Sequence, residues 1–138
     1  MENWQNACEI MENSGLLLAN ETLLSCSQIS TLNLSNTELV ILSACQSGKS
    51  LFHSSEGVFG LRRAFKLAGC HTILATLWHV EDRSCSIFMQ LFYRELLEKE
   101  FPVSTAFHNA VKELKNCKEN GICIYTNPYF WAGYILII

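Results

Sequence analysis

The chain has 138 residues, of which 49% are hydrophobic and 17% charged, and this balance excludes a disordered chain. Ten basic residues against thirteen acidic ones give a net charge of −3, and without a basic stripe no nucleic-acid partner is expected. No apolar run reaches the about 20 residues of a membrane-spanning helix, and no secretory signal pattern begins the chain, so no membrane partner is expected.

The first part of the chain predicts two weak elements. Residues 1–13 are polar and predict no element of their own. A short apolar run at 16–19 predicts a strand. Residues 23–34 predict a weak helix with Ile29 and Leu32 facing inward.

The middle of the chain predicts two strands joined by a loop and a helix. The continuous apolar run at 38–44 predicts a parallel strand buried on both faces. After a small, polar loop at 46–55, apolar residues recur at helical spacing from Val58 onward, and Gly69 is placed to end that helix. Residues 72–77 predict a second buried strand.

The last part predicts two helices and a closing strand. Asp82 or Ser84 predicts the N-cap of the first of these helices, and its inward face consists of Phe88, Leu91, Phe92 and Leu96. The second helix follows Pro102 and has Phe107, Ala110, Val111 and Leu114 on one face. A loop at 116–127 and a strand at 131–138 complete an α/β fold with a mainly parallel sheet.

The number and spacing of the cysteines predict that their thiols are free. There are seven of them, an odd number without regular spacing, which indicates reduced thiols in a cytoplasmic protein. No Cys-x-x-Cys pair is present, and Cys117 and Cys123 have no histidine nearby, so a zinc site is not predicted.

Cys45 is predicted to lie where proteins with open α/β sheets commonly have their active sites. It follows the 38–44 strand directly, and ligands bind outside the carboxyl ends of such strands. Gly48, three residues later, would let the backbone approach a substrate. A nucleophile needs this placement, but a small buried hydrophobic side chain is the alternative interpretation of a free cysteine.

Several motifs resemble one protein family. The run Glu-Leu-Val-Ile-Leu-Ser-Ala-Cys-Gln-Ser-Gly at 38–48 resembles the nucleophile strand of the CHAT family, caspase-like peptidases related to separase and often attached to tetratricopeptide repeats. Further similar motifs follow in order at 55–65, 67–69, 77–82 and 127–133, and residues 14–19 resemble the family's strand between its two catalytic motifs.

The resemblance implies a fold and a reaction. The fold is a three-layer α/β/α caspase-like sandwich, with residues 14–138 as the C-terminal portion and the N-terminal strands missing. The reaction is hydrolysis of a peptide bond in a protein or peptide substrate by a cysteine–histidine dyad. Cys45 is the implied nucleophile, and its backbone N–H is one donor of the oxyanion hole. Neither a metal nor an organic cofactor is implied.

The resemblance also implies substrate-binding residues. Glu81 and Asp82 match an acidic position that receives a basic side chain in separase relatives. Capping of a helix N-terminus is the alternative role for these two carboxylates. Gly48, the last residue of the 38–48 run, is a further predicted substrate-binding residue because a glycine lets the backbone approach a substrate.

The family's histidine–glycine motif has no counterpart here. It is expected before Ser14, but residues 1–13 contain neither histidine nor glycine. The chain is therefore expected to begin after that motif and to be a poor protease alone, because an unpaired cysteine is mostly protonated near neutral pH. The missing base would come from the N-terminal half of the domain or a tetratricopeptide-repeat segment, in cis or in trans. His79 is a candidate substitute base, with a solvent-facing loop histidine as the alternative.

Two other functions compete with hydrolysis. A non-catalytic interaction module, or pseudo-protease, would use the strand edge at 38–44 that the missing strands leave unpaired. A nucleotide-binding protein is the weaker alternative. Gly48, Lys49 and Ser50 follow a strand, but Ser43 replaces the first glycine of a phosphate loop and a further loop delays the helix.

Overall fold

The computed structural model describes residues 14–42 and 55–138, and it has the mixed α/β composition that the sequence predicts. The chain divides into two compact units, one ending at Ala75 and including Ile137–Ile138, the other formed by Thr76–Leu136. Within the described residues, no helix combines the length and the apolar composition that crossing a membrane requires.

The elements up to residue 76 alternate between short strands and helices. In chain order they are β1 (Gly15–Leu17), β2 (Leu23–Ser25), α1 (Cys26–Ser30), β3 (Leu39–Leu42), α2 (Ser55–Leu67) and β4 (Thr72–Thr76). A single 3-10 turn, Ala19–Glu21, links β1 to β2.

The first two strands form an antiparallel hairpin. β1 pairs with β2, with Leu16 opposite Leu24. The backbones approach so closely that a Cβ on Gly15 would lie 2.1 Å from the Leu24 carbonyl oxygen. The predicted strand at 16–19 is therefore confirmed only in part, since it ends at Leu17.

The helix predicted over residues 23–34 is shorter than expected. Ser25 ends β2 and begins α1 through a capping box with Gln28, so the helix covers only Cys26–Ser30. Ile29 is buried as predicted, but the inward position of Leu32 is wrong because α1 has ended before it and its side chain is 43% exposed.

The parallel pair of strands is the centre of the first unit. β3 and β4 are parallel, with Leu39 opposite Thr72 and Leu42 opposite Ala75. The described sheet has the order β3-β4-β7, the last strand being Tyr134–Ile137. Within the described part of the sheet, β4 lies between two strands and is largely buried, whereas β3 has a described neighbour on one side only and its four residues are half-buried. The central position that its apolar run predicts stays a prediction. α2 ends as predicted, since Gly69 adopts φ +97°.

The second unit is mainly helical. α3 (Asp82–Tyr93) continues into a π-helical turn (Arg94–Glu98), and α4 (Val103–Lys115) packs against both. The unit continues with β5 (Lys118–Glu119), β6 (Ile122–Cys123), a 3-10 turn (Pro128–Phe130) and β7.

The helical core follows the predicted periodicity. Phe88 and Phe92 are fully buried on α3, as are Ala106, Ala110 and Leu114 on α4. Glu95 lies three positions after Phe92 and seven after Phe88, so it faces inward with 1% of its surface exposed, while Leu97 on the opposite face is 68% exposed.

The loop predicted at 116–127 contains a small hairpin. β5 and β6 pair antiparallel across Asn120 and Gly121, which have φ values of +51° and +80°. An Asn-Gly pair with two positive φ angles is the sequence that a tight hairpin turn favours. The loop prediction was wrong here because two-residue strands are too short to show a period.

Candidate functional site

The predicted nucleophile motif lies beyond the end of β3. Cys45 and Gly48 are outside the described residues, and so are Lys49 and Ser50 of the phosphate-loop alternative. Cys45 stands three residues after Leu42, the last residue of β3. The roles of Cys45 and Gly48 therefore remain predictions from the sequence.

The other predicted site residues belong to the segment that connects β4 to α3. Residues 77–81 form this segment, and its path is set by hydrogen bonds to residues 129 and 133. The Leu77 N–H donates to the Gly133 carbonyl oxygen (2.8 Å). The indole N–H of Trp78 donates to the Tyr129 carbonyl oxygen (3.0 Å), and the Tyr129 hydroxyl donates to the His79 carbonyl oxygen (2.7 Å). We call these three hydrogen bonds the Tyr129 lock.

Close packing at Gly133 supports the Tyr129 lock. A Cβ at this position would lie 2.8 Å from Cε2 and 3.0 Å from Nε1 of the Trp78 indole. Asn127 shapes the turn before it, because its side-chain oxygen accepts a hydrogen bond from the Tyr129 N–H (2.9 Å). A residue without a side chain is needed at 133 for the indole to reach its acceptor.

Glu81 and Asp82 have different environments. The Glu81 carboxylate caps α3, accepting hydrogen bonds from the backbone N–H groups of Ser84 (2.8 Å) and Arg83 (3.0 Å). The bond from Ser84 is the main cause that lowers the pKa of Glu81 below its usual value. The predicted N-caps, Asp82 and Ser84, are thus wrong by one and three residues. Asp82 is exposed and has no hydrogen-bond or ion-pair partner among the described residues, so its carboxylate is available to a ligand.

Two of the three described histidines have a ring nitrogen within hydrogen-bond distance of a backbone oxygen. The ring of His71 lies 3.3 Å from the Ser35 carbonyl oxygen, and that of His108 lies 2.6 Å from the Ser104 carbonyl oxygen. His79 is exposed, and the Tyr129 lock holds its carbonyl group and not its ring. In residues 14–42 and 55–138, no hydrogen bond joins a histidine ring to a cysteine. The use of His79 as a substitute base remains a prediction.

A buried carboxylate cluster connects α4 to the π turn. The Glu95 carboxylate accepts hydrogen bonds from the Lys99 ammonium group and from the Asn109 amide (2.8 Å). Arg94 forms an ion pair with Glu113 on α4. The Lys99 and Asn109 hydrogen bonds hold the pKa of the Glu95 carboxyl below its usual value, against the opposing effect of burial. A groove of about 690 Å³ runs beside this cluster between α3 and α4.

The sequence did not indicate the Tyr129 lock or the Glu95 cluster. Residues 127–133 entered only as a motif, and nothing in their spacing shows that Tyr129 reaches back across fifty positions to His79. Glu95 lies on the face of Phe88 and Phe92, but acidic side chains are rarely buried unless they are paired, and its partners are not evident from the sequence. Across the described ranges, no group of three histidine, cysteine or acidic side chains is arranged to hold a metal.

Comparisons with known proteins agree on one domain type. A model of the CHAT domain matches residues 4–138. Tetratricopeptide repeat protein 28 of Homo sapiens is 32% identical over 117 residues, which are 85% of this chain and 4% of that protein. The Mus musculus protein of the same name gives the same identity and coverage. The chain thus spans a small share of the curated relatives it matches, and no solved structure matches it.

Proposed function

This chain belongs to the CHAT-domain family, and from that premise we propose that it is the cysteine-bearing part of a cysteine endopeptidase. The observation that carries the proposal is the family match across residues 4–138, which includes Cys45. In the fold we propose, a three-layer caspase-like sandwich with a mainly parallel sheet, residues 14–138 form the C-terminal portion. The parallel pairing of β3 with β4 is compatible with such a sheet.

The proposed reaction begins at the Cys45 sulfur. A base removes the thiol proton, and the thiolate attacks the carbonyl carbon of a peptide bond. The backbone N–H of Cys45 donates to the oxygen on which negative charge develops. The C–N bond then breaks, the protonated base gives its proton to the leaving amine, and water hydrolyses the thioester to regenerate the thiol.

The base is proposed to be a histidine from outside residues 1–138. Since residues 1–13 contain no histidine, the base would come from the N-terminal half of a CHAT domain or from a tetratricopeptide-repeat segment, in cis or in trans. The relatives named tetratricopeptide repeat protein 28 are far longer than this chain, which is consistent with a supply in cis. The five described cysteines are free thiols, which suits the cytoplasmic location that we propose.

In this proposal Asp82 recognises the substrate. Gly48 lets the protein backbone lie close to the substrate, because it has no side chain. Capping of α3 already occupies the Glu81 carboxylate, so Asp82 is the better partner for a basic side chain of the substrate. Glu81 would support it by fixing the first turn of α3.

Supplying the missing histidine tests the proposal. The chain is fused at its N-terminus to a CHAT-family segment that ends in histidine–glycine, and cleavage of a mixed peptide library is followed by mass spectrometry. We expect cleavage by the fusion and none above background by the chain alone. The Cys45→Ala fusion, which keeps the fold and loses the nucleophile, is the matched control.

Two results would contradict a peptidase. One is a folded fusion that cleaves no peptide; the other is cleavage that survives the Cys45→Ala change. Replacing His79 by alanine in the unfused chain tests the substitute base separately. If His79 activates the thiol, the rate of Cys45 alkylation at pH 7 falls in His79→Ala; an unchanged rate excludes that role.

A second candidate function, a non-catalytic interaction module, is favoured by the edge position of β3. Within the described part of the sheet, β3 has a neighbour on one side only, and its four apolar residues are half-buried. An apolar strand with free backbone N–H and C=O groups pairs readily with a strand from another chain segment.

Light scattering on the 138-residue chain tests this alternative. If β3 binds a partner strand, the isolated chain should self-associate. A proline at Ile41, whose N–H faces away from β4 in the parallel register, cannot donate a hydrogen bond to a partner and should reduce that association. A monodisperse monomer with cooperative unfolding would contradict the interaction module. Because the test requires no cleavage, its result is independent of the peptidase assay.

A further inference from the structure

We infer that Leu77, Trp78 and Tyr129 form a recognition surface for a polypeptide segment in which a large apolar side chain stands next to a basic one. We call these three residues the aromatic platform. The inference rests on the proposed function in taking a polypeptide as the ligand, and it adds the side chain that this region selects.

The platform residues are large, apolar and exposed. Leu77 is 42% exposed, Trp78 39% and Tyr129 44%. Hydrogen bonds of the Tyr129 lock join all three to the same two backbone stretches, 77–79 and 129–133. Removing exposed apolar surface from water is favourable, so an apolar group that covers these side chains gains binding free energy.

The platform is rigid before any ligand arrives. The indole N–H of Trp78 and the hydroxyl of Tyr129 are both bonded to backbone carbonyl groups, so neither ring needs a polar partner from a ligand. Tyr129 contacts Phe130 edge-to-face at 5.6 Å, and Phe130 contacts Tyr125, which is buried, at 5.1 Å. Fixed aromatic side chains lose little conformational entropy on binding, which favours them as contact residues.

Charge identifies the neighbouring ligand residue. Asp82, four positions after Trp78, offers an exposed carboxylate without a described partner. Glu81 between them adds a second negative charge while it caps α3. A segment with a lysine or arginine next to its apolar side chain therefore matches the surface, because Trp and Tyr ring faces also attract cations. An acidic segment is excluded by the same charges.

Peptide binding without cleavage tests the inference. The Cys45→Ala chain is titrated into short fluorescein-labelled peptides that differ only at a central pair, Leu-Arg, Ser-Arg or Leu-Gln, and fluorescence polarisation is measured. We expect the Leu-Arg peptide to bind about tenfold more tightly than Ser-Arg, the difference that partial burial of one leucine side chain supplies. Leu-Gln should bind more weakly than Leu-Arg, and the Asp82→Asn change should remove that difference.

Variants assign the leucine preference to the platform. Leu77→Ser keeps the backbone hydrogen bond to Gly133 and should abolish the preference for Leu-Arg over Ser-Arg. Tyr129→Phe, which loses only a hydroxyl, should reduce it if Leu77→Ser does not fold. Trp131→Phe is the matched control, since that indole lies under the Lys115 ammonium group and outside the platform, and the preference should persist.

The possible failures are distinguishable. Three results would overturn the recognition surface. They are equal affinity for the Leu-Arg and Ser-Arg peptides, a preference that survives both platform variants, and no binding of any peptide. If the fusion cleaves peptides without any preference for apolar residues, the peptidase proposal is supported and the recognition surface is contradicted. If the chain binds peptides selectively but its fusion never cleaves them, the recognition surface is supported and the peptidase proposal is contradicted.

Discussion

The Glu95 cluster and the Tyr129 lock both hold polar groups in fixed positions within the second unit, but they differ in their contact with water. Glu95 is 1% exposed, and its carboxylate depends on Lys99 and Asn109. Leu77, Trp78 and Tyr129 of the lock are about two-fifths exposed, so water can replace a lost partner. An unsatisfied buried charge is far more costly than an unsatisfied exposed hydroxyl.

This comparison teaches that the two regions should respond to mutation in different measurements. Changes at Glu95 should appear mainly in the stability of the helices. Changes at the lock should appear less in stability and more in ligand binding, because the lock fixes the path of an exposed segment. The following substitutions sharpen or break that distinction, in order of expected effect.

Removing the buried carboxylate should have the largest effect. Glu95→Ala leaves the Asn109 amide without its acceptor and the Lys99 ammonium group without its charge partner. We expect Tm to fall by about 10 °C, measured by circular dichroism. Glu98→Ala, in the same π turn but exposed, is the control and should leave Tm nearly unchanged. Equal effects of the two changes would contradict a special role for Glu95.

The same carboxylate predicts a pH dependence. The folded state lowers the pKa of Glu95 below its usual value of 4.5, so its stabilising effect is fully present above that value. As the pH falls through the lowered pKa, the carboxylate is protonated and the effect is lost. The difference in Tm between wild type and Glu95→Gln should therefore be constant near neutral pH and shrink below about pH 4. A difference that grows in acid would contradict this assignment.

A methyl group at position 133 should have the next largest effect. Gly133→Ala places a Cβ against the Trp78 indole, which must shift away from the Tyr129 carbonyl. We expect a loss of about 2 kcal/mol in the free energy of unfolding, measured with urea. Gly60→Ala, where a Cβ would meet only the Cys26 sulfur at 3.6 Å, should be neutral or stabilising.

Loss of one hydroxyl should have a smaller effect. Tyr129→Phe removes the hydrogen bond to the His79 carbonyl, and we expect a loss of about 1 kcal/mol in the same urea experiment. Tyr93→Phe removes an equally exposed hydroxyl without a described acceptor and should change the free energy by less. If the two variants are equally stable, the bond from Tyr129 does not fix the segment.

The exposed ion pair should have the smallest effect. Arg83 binds Glu119 on β5, but the two side chains are 60% and 48% exposed. Arg83→Ala should change Tm by less than about 2 °C. The small difference should vanish in about 1 M salt, where charges are screened within about 3 Å. A larger loss that persists in salt would show that Arg83 acts through packing.

The parts of the fold that the sequence predicted are those that local patterns encode. The apolar run at 72–77 gave β4, and helical spacing followed by Gly69 gave the end of α2. The choice of Glu81 over Asp82 as the N-cap depends on where the helix begins, which adjacent acidic residues do not reveal. The 23–25 strand was misjudged because the hairpin with β1, a tertiary contact, overrides a weak helical pattern. Leu32 was misjudged because α1 ends at Ser30.

The candidate site divides in the same way. A continuous motif identified Cys45, and a family match over residues 4–138 bears out the membership that the motif indicated. No motif could show that Tyr129 bonds to the His79 backbone, because that contact joins residues fifty positions apart. The sequence also cannot show that the platform side chains are exposed to solvent, since Trp and Tyr occur both in protein cores and on binding surfaces.

The sequence by itself indicated the family, the strand that leads to Cys45, the acidic pair and the absence of histidine from residues 1–13, because each depends on the order of neighbouring residues. Only the tertiary structure decided that Glu95 is buried, that Glu81 is committed to capping, and that Leu77, Trp78 and Tyr129 are exposed beside backbone segments joined by hydrogen bonds. These features arise where separate segments meet, and packing and hydrogen-bond partners across that distance are set by the folded backbone.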